Sequence, residues 1–156
     1  MKFTLLKEIR HDRLMRPLLG GILIFIILFL ISDMLQIKHH FGLHVKAVSD
    51  TLYGNEEAFI DPMSSEALFE IMHGMLFFTM MTLLSLSAIF GRLAPPCRWV
   101  PYAMHLLHLG AAGSIVLIIA AYYTFEGMVG IWLACLYSWH AIAFGMALFS
   151  LYRLYR

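Results

Sequence analysis

The chain has 156 residues, 61% hydrophobic and 13% charged, with 11 basic and 10 acidic side chains that leave a formal net charge of +1. A mean hydropathy of +0.78 excludes an ordinary soluble domain and a disordered tract, and places the sequence among polytopic membrane proteins. Its basic residues are scattered at the borders of apolar blocks instead of forming a stripe with stacking aromatics, which argues against nucleic-acid binding.

At the N-terminus Phe3, Leu6 and Ile9 alternate with Lys7, Glu8 and Arg10, a pattern that predicts a short interfacial helix with an anchoring role. The first apolar block, residues 17–37, carries one charge, Asp33. It is too long for a signal peptide and leads into Lys38-His39-His40, not a small-residue cleavage site, so it reads as a retained membrane helix. Residues 38–65 form the one substantial polar connection. Within it Leu43, Val45, Val48 and Leu52 precede Gly54, predicting a short amphipathic helix on the outer membrane surface with a glycine cap. Asp61-Pro62 and Ser64 then read as a turn and an N-cap.

Three further uncharged blocks follow, at residues 71–91, 99–125 and 127–152. Each suffices for the ~20 helical residues that a hydrocarbon core requires, and lipid leaves helix as the way to satisfy their backbones. The connections between them, residues 91–98 with Pro95 and Pro96 and residues 124–129 around Glu126-Gly127, are tight turns. These three spans are therefore expected to be antiparallel neighbours. The expected fold is all-α: residues 1–156 as a single domain, an integral membrane bundle of four transmembrane helices with a short amphipathic helix in the first outer loop.

Lys2, Lys7, Arg10, Arg13, Arg16, Arg92, Arg98, Arg153 and Arg156 fall on one side of this arrangement, against Lys38 and Lys46 on the other. The bias predicts that both termini face the cytoplasm. Asp33, Asp50, Glu56, Glu57, Asp61, Glu66, Glu70 and Glu126 gather toward the outer side. The two cysteines, Cys97 in a turn and Cys135 inside the last span, suggest neither a structural disulfide nor CxxC chemistry.

Histidines inside spans need a reason, because ionisable side chains in a bilayer are costly. Counting helical rise puts His73 roughly 12 Å outward of its helix midpoint, His108 roughly 6 Å and His105 roughly 10 Å inward of theirs, and His140 near the middle of the last span. His105 and His108 share a helix face, and His140 is close in depth to His108. Two neutral imidazoles from facing helices would suit a b-type haem, with Gly110 to Gly113 and the stripe Gly130, Ala134, Ser138, Ala141 and Gly145 allowing close approach. The same small residues also pack membrane helices, and a neutral histidine also serves as hydrogen-bonding glue between them.

A second, outer set comprises His73 with Glu70, Met72 and Met75, and His39, His40 and His44 beyond the first span. Glu70, three residues before His73, is placed to orient its imidazole. With thioethers from Met75, and with His40 and His44, such a group could hold a soft or borderline metal, copper in particular. The competing reading is solvated interfacial histidines and packing methionines.

Gly42-Leu43, Val48, Tyr53-Gly54-Asn55-Glu56-Glu57, Phe59, Pro62, Ser64, Leu68, Glu70, His73, Leu76-Phe77 and Met80 resemble a group of small, poorly characterised bacterial inner-membrane proteins. In that group a short outer loop leads into a helix carrying a Glu-x-x-His element, and a second histidine often stands where this chain has Met75. The resemblance covers about a quarter of the sequence. It implies a four-helix inner-membrane fold and draws attention to Glu70 and His73, without supplying a reaction.

No nucleophile is arranged with a base and an oxyanion donor, and no phosphate loop follows a strand, so the chain is not expected to be an enzyme. Nor does it carry the discontinuous helix pair or inverted repeat of a transporter. Two function classes remain: an accessory membrane component that binds haem or a metal through histidine, and a non-catalytic scaffold subunit. The expected partners are the lipid bilayer and other membrane subunits or further copies of the chain.

Overall fold

A computed structural model describes residues 13–156. The expected interfacial helix around Phe3, Leu6 and Ile9 lies outside the described residues. Five helices follow in order: α1 (Met15–His40), α2 (Val45–Tyr53), α3 (Ser65–Leu93), α4 (Trp99–Tyr123) and α5 (Met128–Tyr155). Four of them, α1, α3, α4 and α5, are long and apolar enough to cross a membrane. Among the described residues no strand forms, and the one isolated bridge joins Asn55 to Ile60.

α5 is the central column. It packs against α4, α1 and α3, and its first turns also meet α2. Its buried face runs through Trp132, Leu136, Trp139, His140, Ala143, Ala147 and Leu154. Gly110 on α4 is what lets Trp139 approach: a Cβ there would stand 3.1 Å from the Trp139 Cβ. The small stripe Gly130, Ala134, Ser138, Ala141 and Gly145 turns elsewhere. Ala134, Ser138, Ala141 and Gly145 are exposed, Gly130 is half-buried, and nothing stands within 4 Å of a Cβ built on either glycine. The close approach of α4 to α5 is thus made at Gly110 against Trp139, and not by the stripe.

α1 buries Gly20, Leu23, Ile26, Leu30, Asp33 and Ile37, positions spaced by three or four that line one face of a helix. That face lies on α5, whereas α1 meets α3 only sparsely. At the terminal end Arg16 donates to the Tyr155 carbonyl at 3.0 Å and lies over the Tyr155 ring.

The opposite end, called here the loop end, is laced by three tyrosine hydroxyls. Tyr53 donates to the Ala121 carbonyl at 2.5 Å, Tyr122 to Met63 at 3.0 Å and Tyr137 to Leu43 at 2.6 Å. α2 buries Val48, Ser49 and Leu52, so it closes this end of the bundle by packing on α5 as well as presenting a polar face outward. Gly54, at φ 82°, ends α2, its N–H donating to the Asp50 carbonyl at 3.0 Å. Ser64 caps α3, its hydroxyl accepting from Ala67 N–H at 3.2 Å. With Glu66 in its first turn, matched to the positive end of the helix dipole, α3 begins six residues before the apolar block that announced it.

Candidate functional site

Asp33 and His140 meet in the interior. The His140 Nε2 and the Asp33 Oδ2 are 2.9 Å apart, and the two side chains are 8% and 3% exposed. The other ring nitrogen, Nδ1, lies 2.9 Å from the Leu136 carbonyl. A carbonyl only accepts, so Nδ1 carries a hydrogen and donates it. One proton must then sit in the contact between Nε2 and Oδ2, whichever of the two holds it. The pair is neutral as a unit, which is the form in which two ionisable groups can be buried without an orphaned charge. The Trp139 ring stacks beside the imidazole, 3.7 Å between centroids.

Asp33 lies roughly 8 Å toward the loop end from the midpoint of α1, and His140, near the midpoint of α5, stands opposite it.

His140 therefore faces α1, and does not face His108. Its two ring nitrogens are both engaged, by Leu136 and Asp33. His108 lies on α4 with Nδ1 2.7 Å from its own Met104 carbonyl, and His105 is exposed. A haem iron ligated by His140 would have to displace one of these bonds, so the residues present do not fit a bis-histidine haem between α4 and α5.

On the other side of Asp33 a cleft of about 550 Å³ separates α1 from α3. α1 contributes Phe29, Asp33, Gln36 and His40; Met63 closes it from the loop; α3 contributes Ala67, Glu70, Ile71, Gly74, Met75 and Phe78. Two carboxylates line it, and no lysine or arginine does. Of the five residues expected to hold a metal, His40, Glu70 and Met75 come together here. His73 does not: it is exposed, about 100° round the helix from Gly74 and off the face that meets α1. His44 is exposed at the N-cap of α2. Among the described residues no three His, Cys, Asp or Glu side chains converge as a metal centre requires.

Sequence reasoning left out Asp33, Gln36 and Met63. The signal for Asp33 was in plain view, as the one charge in any of the four spans, and an intramembrane carboxylate calls for a named partner. Nothing in spacing alone pairs it with His140, because the two are 107 residues apart.

No protein-family model matches this sequence, and no curated protein or solved structure matches it.

Proposed function

We propose that this chain is a small accessory component of a bacterial cytoplasmic membrane that binds a cation from the outer side, in the cleft between α1 and α3. The observation that carries the reading is that Asp33 on α1 and Glu70 on α3 line one cleft whose walls hold no lysine or arginine. Since the Asp33–His140 contact is neutral as a unit, Glu70 supplies the net negative charge, and His40 and Gln36 add polar contacts nearer the mouth. The concentration of Lys and Arg at the terminal end supports cytoplasmic termini, which opens the cleft to the outer aqueous phase. The reading assigns no catalytic residue.

The experiment is cation binding to the purified full chain in lipid nanodiscs, with Cu(I), Zn²⁺ and organic ammonium or phosphonium ions tested separately. Saturable binding of one of them that weakens in Glu70→Gln is the expected result; no binding of any cation refutes the reading. Reporter fusions at the two ends check the orientation, and ends on opposite sides would overturn it.

A second reading, a scaffold subunit, is favoured by a different observation. The stripe Ala134, Ala141 and Gly145 is small and exposed, with open space around Gly145, the type of surface against which another membrane helix packs closely. Cysteines introduced at Ala134 and Ala141 test it: a disulfide-linked or cross-linked membrane complex supports this role, and monomeric chain throughout opposes it.

A further inference from the structure

We infer that the cation taken by the α1–α3 cleft is a lipophilic organic one, with an ammonium or phosphonium centre between the levels of Asp33 and Glu70 and an apolar body resting on Phe29 and Phe78; this rests on the cation-binding reading above. The Phe29 and Phe78 rings, 6.3 Å apart between centroids, meet across the foot of the cleft. Counting up at 1.5 Å per residue, Asp33 stands about 6 Å above Phe29, Gln36 about 10 Å and His40 about 16 Å, while Glu70 stands about 12 Å above Phe78. The cleft is thus aromatic at its foot, carries carboxylates about 6 Å and 12 Å above it, and ends at His40 near its mouth.

Asp33 gives the second, independent sign of a ligand. It is 3% exposed and lines the cleft, and Oδ2 is taken by His140. Its other oxygen, Oδ1, has no hydrogen-bond partner among the described residues, yet it is not sealed from space. A buried carboxylate oxygen left open to a cavity is an acceptor waiting for a donor or a positive charge.

The alternatives fit less of this. A bare metal ion needs several ligand atoms drawn together at about 2.0–2.6 Å, and such convergence is missing here. A small hydrated cation or a hydrophilic polyamine would use the carboxylates and leave the aromatic foot against water. A volume of about 550 Å³ lies in the range of small-molecule sites, about 300–1,000 Å³. Ring faces at the foot also attract positive charge, an effect that grows where water is excluded. An occupant with both a charge and an apolar body satisfies the foot and the carboxylates together, and it reaches the site through the membrane interface where such amphiphiles concentrate.

The test separates charge from body. The full chain, in nanodiscs of zwitterionic lipid, is dialysed against tetraphenylphosphonium, against tetramethylammonium (charge without the body) and against triphenylphosphine oxide (body without the charge). Tetraphenylphosphonium is expected to bind saturably at one site, at least about tenfold tighter than either control. Glu70→Gln and Phe78→Ala are each expected to weaken it by about tenfold; both side chains are exposed, outside the packed core. A measurement on the unaltered chain guards against misfolded variants: tetraphenylphosphonium should slow the labelling of Glu70 by a hydrophobic carbodiimide. Equal binding of triphenylphosphine oxide, indifference to Glu70→Gln, or unprotected Glu70 would overturn the inference. If Cu(I) or Zn²⁺ binds in a Glu70-dependent way and tetraphenylphosphonium does not, the inference falls while the cation-binding reading stands. If no cation binds, both fall.

Discussion

Removing both members of the Asp33–His140 pair should cost less than the sum of removing each alone. In Asp33→Ala the His140 Nε2 is left facing a void in a site where its side chain is 8% exposed. Breaking a buried pair in water-soluble proteins costs about 3–5 kcal/mol, whereas membrane hydrogen bonds measured by double-mutant cycles average about 0.6 and reach about 1.7 kcal/mol. The Asp33 contact combines a hydrogen bond with relief of an orphaned polar group, so about 2–3 kcal/mol is expected for Asp33→Ala and a similar loss for His140→Ala. The double variant should lose about 1–2 kcal/mol less than the sum, because neither orphan remains. Asp33→Asn is the discriminating control. Since Nδ1 already donates to Leu136, a neutral His140 presents Nε2 as an acceptor, and an asparagine amide can donate to it; a loss below about 1 kcal/mol is expected. Reversible unfolding in mixed micelles, followed by circular dichroism, measures all four proteins. Equal losses for Asp33→Ala and Asp33→Asn, or strict additivity in the double variant, would refute the shared-proton description.

Other consequences are local. Burial first, and the charge of Glu126 second, push the Tyr53 hydroxyl above its ordinary value of 10.0. The unfolded chain therefore loses that proton first, so this contribution is complete below about pH 10 and drains away as pH rises through the folded value. Tyr53→Phe should flatten the alkaline limb of a melting-temperature profile and cost up to about 1 kcal/mol at neutral pH through the lost bond to Ala121. Gly110→Ala should destabilise by about 1–3 kcal/mol by pressing on Trp139, while Gly145→Ala, with open space around it, should be neutral or slightly stabilising; equal effects in thermal melts would contradict the packing described. Phe59 sits at φ 54° and is 95% exposed, so Phe59→Gly should remove a strained left-handed conformation and raise stability by up to about 1 kcal/mol; a lower melting temperature would show that the ring makes contacts that matter.

The four spans, their short connections, the caps at Gly54 and Ser64 and the helix before Gly54 could all be read from the sequence, because length, charge and turn chemistry are local. Which face of each helix is buried could not. Apart from Asp33, the residues of α1 within the span are apolar all round, so hydrophobicity does not separate the stripe through Leu23, Ile26, Leu30 and Ile37 from the exposed Ile24, Phe25, Leu28 and Ile31. Depth was legible: Gly110 against Trp139 puts His108 and His140 at nearly the same level. Face was not, and His140 turns to Asp33 on α1 instead of toward His108. The outer cluster was half legible: Glu70 and Met75 lie on the cleft side of α3, but His73, three residues from Glu70, falls round the helix from it. Helical spacing names neighbours on one helix; it does not say which of them the next helix meets.

The tautomer of His140 links the joint between α1 and α5 to the cleft between α1 and α3. With Nδ1 held by Leu136, only Nε2 can reach Asp33, and it takes one carboxylate oxygen, leaving Oδ1 toward the cleft. Stability and binding should therefore separate at this residue. Asp33→Asn can keep a donor on His140 and turn its amide oxygen to the cleft, so the joint survives while a full carboxylate is replaced by a neutral dipole. Tetraphenylphosphonium binding should fall several-fold in a protein whose melting temperature barely moves, by less than in Glu70→Gln because the Asp33–His140 pair was already neutral as a unit. A loss larger than that of Glu70→Gln would mean that the proton in this contact leaves when the cation arrives, and that Asp33 meets the ligand as a bare carboxylate.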